Sequence, residues 1–228
     1  MNSINFKKIP KSLFVMILFF STSILSLIPI FIFNINIENI TISQNAIITL
    51  TVDLILASIL IFLYRRELKK DLKDLKKNFY SLFETSFKYW FVGLMLMMAS
   101  NIFINLVFPN AVSGNENSVQ ELISVQPLVM LITAGIIGPI IEELVFRTSI
   151  RDVFKNKYLF IGISGLLFGF LHVIFAAQSL VDYIYALPYC FLGLSFAYMV
   201  DKTDNNLSSI MMHMMHNFVL VCLSIFMG

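Results

Sequence analysis

Three short stretches of this chain carry side chains able to do chemistry, and each is set among apolar residues. The densest runs Gly138-Pro139-Ile140-Ile141-Glu142-Glu143-Leu144-Val145-Phe146-Arg147. On a helix Glu143 and Arg147 are i and i+4 and can pair along one face. Glu142 is five residues from Arg147, roughly 140° around the axis. The arrangement neutralises Glu143 and leaves Glu142 without a cation. An unpaired carboxylate in a dry site suits a group that takes a proton and later returns it. Pro139 has no N–H for the Gly135 carbonyl, so the helix should kink or loosen there and admit water. On this segment alone, an ordinary helix end with both acids at the membrane surface is the competing reading.

The second stretch is Phe168-Gly169-Phe170-Leu171-His172. Gly162, Gly165 and Gly169 precede the histidine at spacings that allow another helix to come close. A lone membrane histidine can equally serve as a hydrogen-bonding strut between helices. The third stretch is Met211-Met212-His213-Met214-Met215-His216-Asn217. His213 and Asn217 share a face, whereas His216 points about 60° away from His213. Methionine and histidine together suit a soft metal such as Cu(I). Four methionines around a buried helix read more simply as deformable packing, and no second Met/His cluster completes a transport path.

These stretches need a membrane to hold them. The chain has 228 residues, 58% of them hydrophobic and only 13% charged, with mean hydropathy +0.83. Soluble domains carry about 25% charged residues. Apolar runs long enough to cross about 30 Å of hydrocarbon fall at 13–33, 46–64, 89–108, from 127 through the Glu142 motif, 158–177, 180–200 and 207–227. The first exceeds a signal-peptide core and no small-x-small site follows it, so it reads as an uncleaved span. With seven spans and the N-terminus inside, every Lys and Arg falls in an inner segment (1–12, 65–88, 147–157, 201–206), as the positive-inside rule requires. The expectation is an all-α polytopic transmembrane helix bundle in the cell membrane, N-terminus cytoplasmic and C-terminus outside. It is read as a single membrane domain over 1–228, with three spans and an interfacial helix in 13–108 and a catalytic four-helix core in 127–227. The stretch RRELKKDLKDLKK, residues 65–77, sets Leu68, Leu72 and Leu75 on one stripe and predicts an amphipathic helix on anionic lipid. Asn101 and Asn105, i and i+4, are read as helix-to-helix glue, and Asp53 as a partner for a neighbouring helix or a cavity residue. A net charge of +2 gives no argument for nucleic acid. Cys190 and Cys222 lie in apolar runs and offer neither a disulfide framework nor a metal knuckle.

Depth decides whether the motifs meet. His172 is roughly 22 Å in from Lys157 at 1.5 Å per residue. Glu142 comes level with it, roughly 20 Å deep, only if its helix runs on through Arg151 to near Lys155. His213 then lies about 12 Å in. Convergence therefore requires a buried Arg147, and Glu143 is the acid spaced to neutralise it.

Glu142-Glu143-x-x-x-Arg147, Phe168-x-x-x-His172 and His213-x-x-x-Asn217, in this order, resemble the three-motif pattern of the CPBP family, the CAAX prenyl endopeptidases and bacteriocin-processing membrane enzymes also called Abi. The resemblance covers about residues 127–220. It implies a glutamate-dependent intramembrane endopeptidase with no metal and no cofactor. Glu142 would be the base, His172 would help orient and activate water, His213 and Asn217 would bind the oxyanion, and Glu143 and Arg147 would support them. Its partners would be the bilayer and a peptide or membrane-protein substrate, with bacteriocin self-immunity among the family's roles. Two other readings compete. One carboxylate and two imidazoles, Glu142, His172 and His213, could hold Zn²⁺, although no HExxH is present. A non-catalytic immunity protein that binds a peptide toxin could keep the same motifs. A transporter would need paired broken helices in two repeat halves, and none is seen.

Overall fold

A computed structural model describes residues 3–35, 39–109 and 113–227, and the architecture is all-α. Helix α1 (Ile9–Phe20) starts on Pro10, whose missing N–H costs nothing in a first turn. It bends by 50° into the short helices of Thr22–Ile32. Helix α2 (Ile42–Leu63) opens on a reciprocal cap between Thr41 and Gln44. Helix α3 (Arg65–Val107) runs 43 residues, broken locally at Asn78 (φ −120°, ψ 29°). Helix α4 (Gly114–Val125) is capped by Ser113. Helix α5 is the composite Pro127–Val153, α6 is Lys157–Ile174, α7 is Ala186–Thr203 and α8 is Asn206–Met227. Among the described residues, six helical segments are long and apolar enough to span a bilayer, and the bent N-terminal pair makes up to a seventh. The seven expected spans are reached when that pair counts as one span.

Helix α5 continues past Arg147 and Arg151 to Val153, ending where Phe154 turns extended (φ −94°, ψ 109°). This is the longer of the two lengths considered, and it carries Arg147 into the interior. The amphipathic stripe of 65–77 differs from expectation. Asp71 takes the inward place between Leu68 and Leu75, while Leu72 faces outward, because Asp71 caps α8. Its Oδ2 accepts from the Asn206 backbone N–H (2.9 Å) and from Asn206 Nδ2 (2.8 Å). Burial pushes the Asp71 carboxyl above the ordinary aspartate range, and the bonds from Asn206 only partly offset it. Beside it Asp204, with φ 49°, holds Lys70 at 3.0 Å and Arg151 at 2.8 Å. These contacts tie the α7–α8 turn to α3 and α5, and so set the level of everything on α8. Asn101 and Asn105 are exposed and make no side-chain hydrogen bond among the described residues; Ser100 and Ile104 take the inward stripe instead.

Helices α6 and α7 cross almost backbone to backbone. A Cβ added at Gly165 would come within 2.7 Å of the Leu194 backbone nitrogen. One at Gly169 would come within 2.5 Å of the Cys190 nitrogen and 2.7 Å of its Cα. Gly162 has nothing within 4 Å, so only two of the three expected glycines belong to the crossing. Gly169→Ala should force α6 off α7 and cost about 1–3 kcal/mol through overpacking. Gly162→Ala should be neutral or stabilising, because alanine is the better helix former by about 1 kcal/mol. Thermal unfolding of the two purified variants checks the contrast.

Candidate active site

Buried ionisable groups from α5 and α8 meet here, with α6 and α7 closing the site. Glu143 and Arg147 are both fully excluded from solvent, and Arg147 Nε lies 3.2 Å from Glu143 Oε2. The i, i+4 pairing read from the sequence is present. The guanidinium also donates to Ser164 Oγ at 3.3 Å, and that hydroxyl donates to the Phe146 carbonyl at 2.6 Å. Aromatic rings complete its cage: Arg147 Cζ sits 4.6 Å from the Phe168 ring centre and 5.8 Å from that of Phe196. Ring faces carry negative potential and partly replace the water this cation has lost.

The other oxygen of Glu143 faces α8. His213 Nδ1 lies 3.0 Å from Glu143 Oε1. A carboxylate in an ion pair can only accept, so Nδ1 carries the proton and Nε2 is turned to the opposite side. Opposite is Glu142, whose Oε2 is 3.6 Å from His213 Nε2. That separation is too long for a direct hydrogen bond, and this oxygen is buried with no hydrogen-bond partner among the described residues. The Glu142 side chain as a whole keeps 23% exposure, against none for Glu143. Neighbours in sequence, the two acids are thus in different situations. One is locked between a cation and an imidazole; the other faces that imidazole with an unsatisfied oxygen and an opening.

Two π-helical turns, Thr133–Ile137 and Leu144–Ser149, flank the ordinary turn Gly138–Glu143. In the first, the Gly138 N–H reaches back five residues to the Thr133 carbonyl. In that register the N–H missing at Pro139 orphans Ala134, not the Gly135 carbonyl expected for an unbroken α-helix. Asn217 Nδ2 fills the gap, donating to the Ala134 carbonyl at 3.0 Å. One of the two amide hydrogens of Asn217 is therefore committed to α5 and the other remains.

His172 sits behind these groups. Its Nδ1 is 2.8 Å from the Phe168 carbonyl, so Nδ1 donates and Nε2 is left as an acceptor. The ring stacks on Tyr189 (centres 4.6 Å apart, 18° between planes) and reaches the His213 region through Phe168, whose ring centre is 4.5 Å from His172 and 5.5 Å from His213. It makes no hydrogen bond or ion pair with either glutamate among the described residues. His216, the rival of His213, faces α3, where its Nδ1 accepts from Trp90 Nε1 at 3.4 Å. Sequence reasoning missed Ser164, Phe196 and Tyr189. Phe196 stacks on His213 (4.8 Å, 28°), and the Tyr189 hydroxyl is held by Asn115 of α4 at 3.1 Å. Nothing in their local spacing marks these three; α4 was not anticipated, and Ser113-x-x-Glu116, a helix-start pattern, is the signal that could have found it. Among the described residues, no three His, Cys, Asp or Glu side chains are arranged to hold a metal ion.

Residues 124–219 match the family model described as type II CAAX prenyl endopeptidase Rce1-like. The chain is also similar to "Putative membrane peptidase YdiL" of Bacillus subtilis (strain 168), at 27% identity over 151 residues. That alignment covers 59% of this chain and 58% of the relative, so the chain matches little more than half of the relative's length. No solved structure matches. The matched residues 124–219 are less than half of the chain and contain all three motifs.

Replacing Arg147 by Met should strand the Glu143 charge and destabilise the protein by about 3–5 kcal/mol. Glu143→Gln combined with Arg147→Met should recover part of that loss. Thermal melts of the single and double variants check the order; a double variant no more stable than Arg147→Met would count against the pairing.

Proposed function

We propose that this chain, whose residues 124–219 follow the CPBP-family pattern, is an intramembrane endopeptidase that hydrolyses a peptide bond with water activated by Glu142. The observation that carries the reading is the Glu142 carboxylate, partly open and unpaired, facing an imidazole already fixed by a second acid. The relative's name as a membrane peptidase supports the same class.

In this mechanism Glu142 takes one proton from water while the water oxygen attacks the scissile carbonyl carbon. The C=O π electrons move onto oxygen. With both ring nitrogens protonated, His213 donates Nε2–H to that oxyanion beside the free amide hydrogen of Asn217, and Glu143 behind Nδ1 supports the positive charge of the ring. Glu142 then returns its proton to the amine nitrogen as the C–N bond breaks. No acyl-enzyme forms. His172 helps orient the water. Arg147 acts through Glu143 and touches no reacting atom. The N-terminus is assigned to the cytoplasm and the C-terminus to the outside, because that topology puts the basic end of the bundle inside. The substrate is assigned to membrane proteins or secreted-peptide precursors, with bacteriocin self-immunity as the biological setting.

The test uses the full chain in proteoliposomes with two quenched fluorescent peptides, one an unmodified hydrophobic segment and one farnesylated on a CAAX cysteine. Glu142→Gln keeps shape and removes the base, and should lower kcat by about 10²–10⁴. Wild-type turnover should persist in a strong chelator. Equal turnover by wild type and Glu142→Gln would reject the mechanism. A cellular phenotype that survives Glu142→Gln together with His172→Ala would favour a binding protein instead.

A further inference from the structure

Asp53 is an intramembrane acid that the mechanism above leaves unused. It lies on the inward stripe of α2: Ala46, Thr49, Asp53, Leu56 and Leu60 recur at steps of three and four residues. Ala46, Leu56 and Leu60 are buried, as that position demands, but Thr49 is exposed and Asp53 half-buried between them. The stripe opens at its two polar residues, although Ile48 and Val52 beside them are buried.

The neighbouring residues show what that opening adjoins. Leu56, Ala57 and Leu60 belong to one packed cluster with Ile141, Leu144 and Val145 of α5. Both helices run toward the basic end of the bundle, so one turn back along α2 from Leu56 corresponds to one turn back along α5 from the Ile141–Leu144 region. That is the Gly138 turn, which α2 contacts directly. Glu142 reaches back to the same level, since helical side chains lean toward the N-terminus; its Oε1 is 4.0 Å from where a Gly138 Cβ would sit. The other hydroxyls of α2 behave differently: Thr51 and Ser58 turn back to the Ile47 and Leu54 carbonyls at 2.8 and 2.7 Å. Thr49 and Asp53 make no side-chain hydrogen bond among the described residues.

We propose that Thr49 and Asp53 form the wall of the substrate cleft opposite Glu142, and that Asp53 is a second acceptor for the attacking water. The proposal rests on the peptidase reading. A water between two carboxylates donates one hydrogen to each, which turns a lone pair toward the carbonyl. Glu142 removes its proton as the oxygen–carbon bond forms; the hydrogen on Asp53 stays on the water oxygen and becomes that of the new carboxyl group. Asp53 thus orients the nucleophile without a net proton transfer.

Two measurements test this. In full chains with Cys190 and Cys222 replaced by Ser, Asp53→Cys in membranes should react with a water-soluble methanethiosulfonate at least about 10-fold faster than Leu54→Cys, on the outer face of the same helix. Equal rates would mean no wet cleft at Asp53 and would overturn the proposal whatever the enzyme's activity. With the reporter peptides above, Asp53→Asn, which keeps an acceptor oxygen, should lower kcat about 10-fold, and Asp53→Leu about 100-fold, both with KM nearly unchanged. Ser58→Ala should match wild type. Turnover that depends on Glu142 but not on Asp53 would reject the second acceptor and leave the peptidase standing; turnover indifferent to Glu142 would reject the peptidase, with thiol labelling still deciding the cleft.

Discussion

The structure turns on a salt bridge that has no access to water. An isolated carboxylate or guanidinium in hydrocarbon costs several kcal/mol even after relaxation, so neither Glu143 nor Arg147 could hold its place alone. Together they still leave donors and one carboxylate oxygen to satisfy. The rest of the site meets part of that demand: Ser164 from α6 for one guanidinium nitrogen, the rings of Phe168 and Phe196 around the cation, and His213 from α8 for one carboxylate oxygen. A single ion pair on α5 therefore dictates which faces α6, α7 and α8 must present. The close α6–α7 crossing at Gly165 and Gly169 serves the same demand, because it brings Phe168 and Phe196 within 4.6 and 5.8 Å of the guanidinium.

Backbone hydrogen bonding in α5 obeys a comparable economy. A proline in mid-span removes a donor, and in a membrane the orphaned carbonyl has no water to turn to. The π-helical turn moves the orphan to Ala134, within reach of Asn217. The side chain that answers the proline thus comes from the same helix, one turn beyond His213. Helix α8 is locked to α5 at two levels, by an imidazole on Glu143 and an amide on Ala134, and its start is pinned by Asp71 at the basic end.

The division of labour between adjacent acids was largely legible in the chain itself. Residues i and i+4 share a helical face while i and i+5 do not, so Glu143 had to be the partner of Arg147 and Glu142 the free acid. The requirement that Arg147 be buried followed from comparing depths along straight helices, and its complete exclusion from solvent meets it. Local periodicity was a poorer guide to relations between helices. Leu72 fitted the stripe of its own helix yet lost the inward position to Asp71, because α8 needed a cap. Asn101 and Asn105 shared a face of α3, but it was not the face that met another helix.

By itself, the sequence determined what depends on distances along one helix: the number of spans, the ion pair, the free acid and the three motifs. Only the tertiary structure decided what depends on the rotation and height of one helix against another. It set His213 rather than His216 against the two glutamates, placed Tyr189 against His172 and gave Asn217 a backbone partner. The physical reason is that helical geometry relates near neighbours through a fixed 100° and 1.5 Å per residue. The relative rotation of packed helices emerges from the sum of many small contacts, and no single spacing in the chain records it.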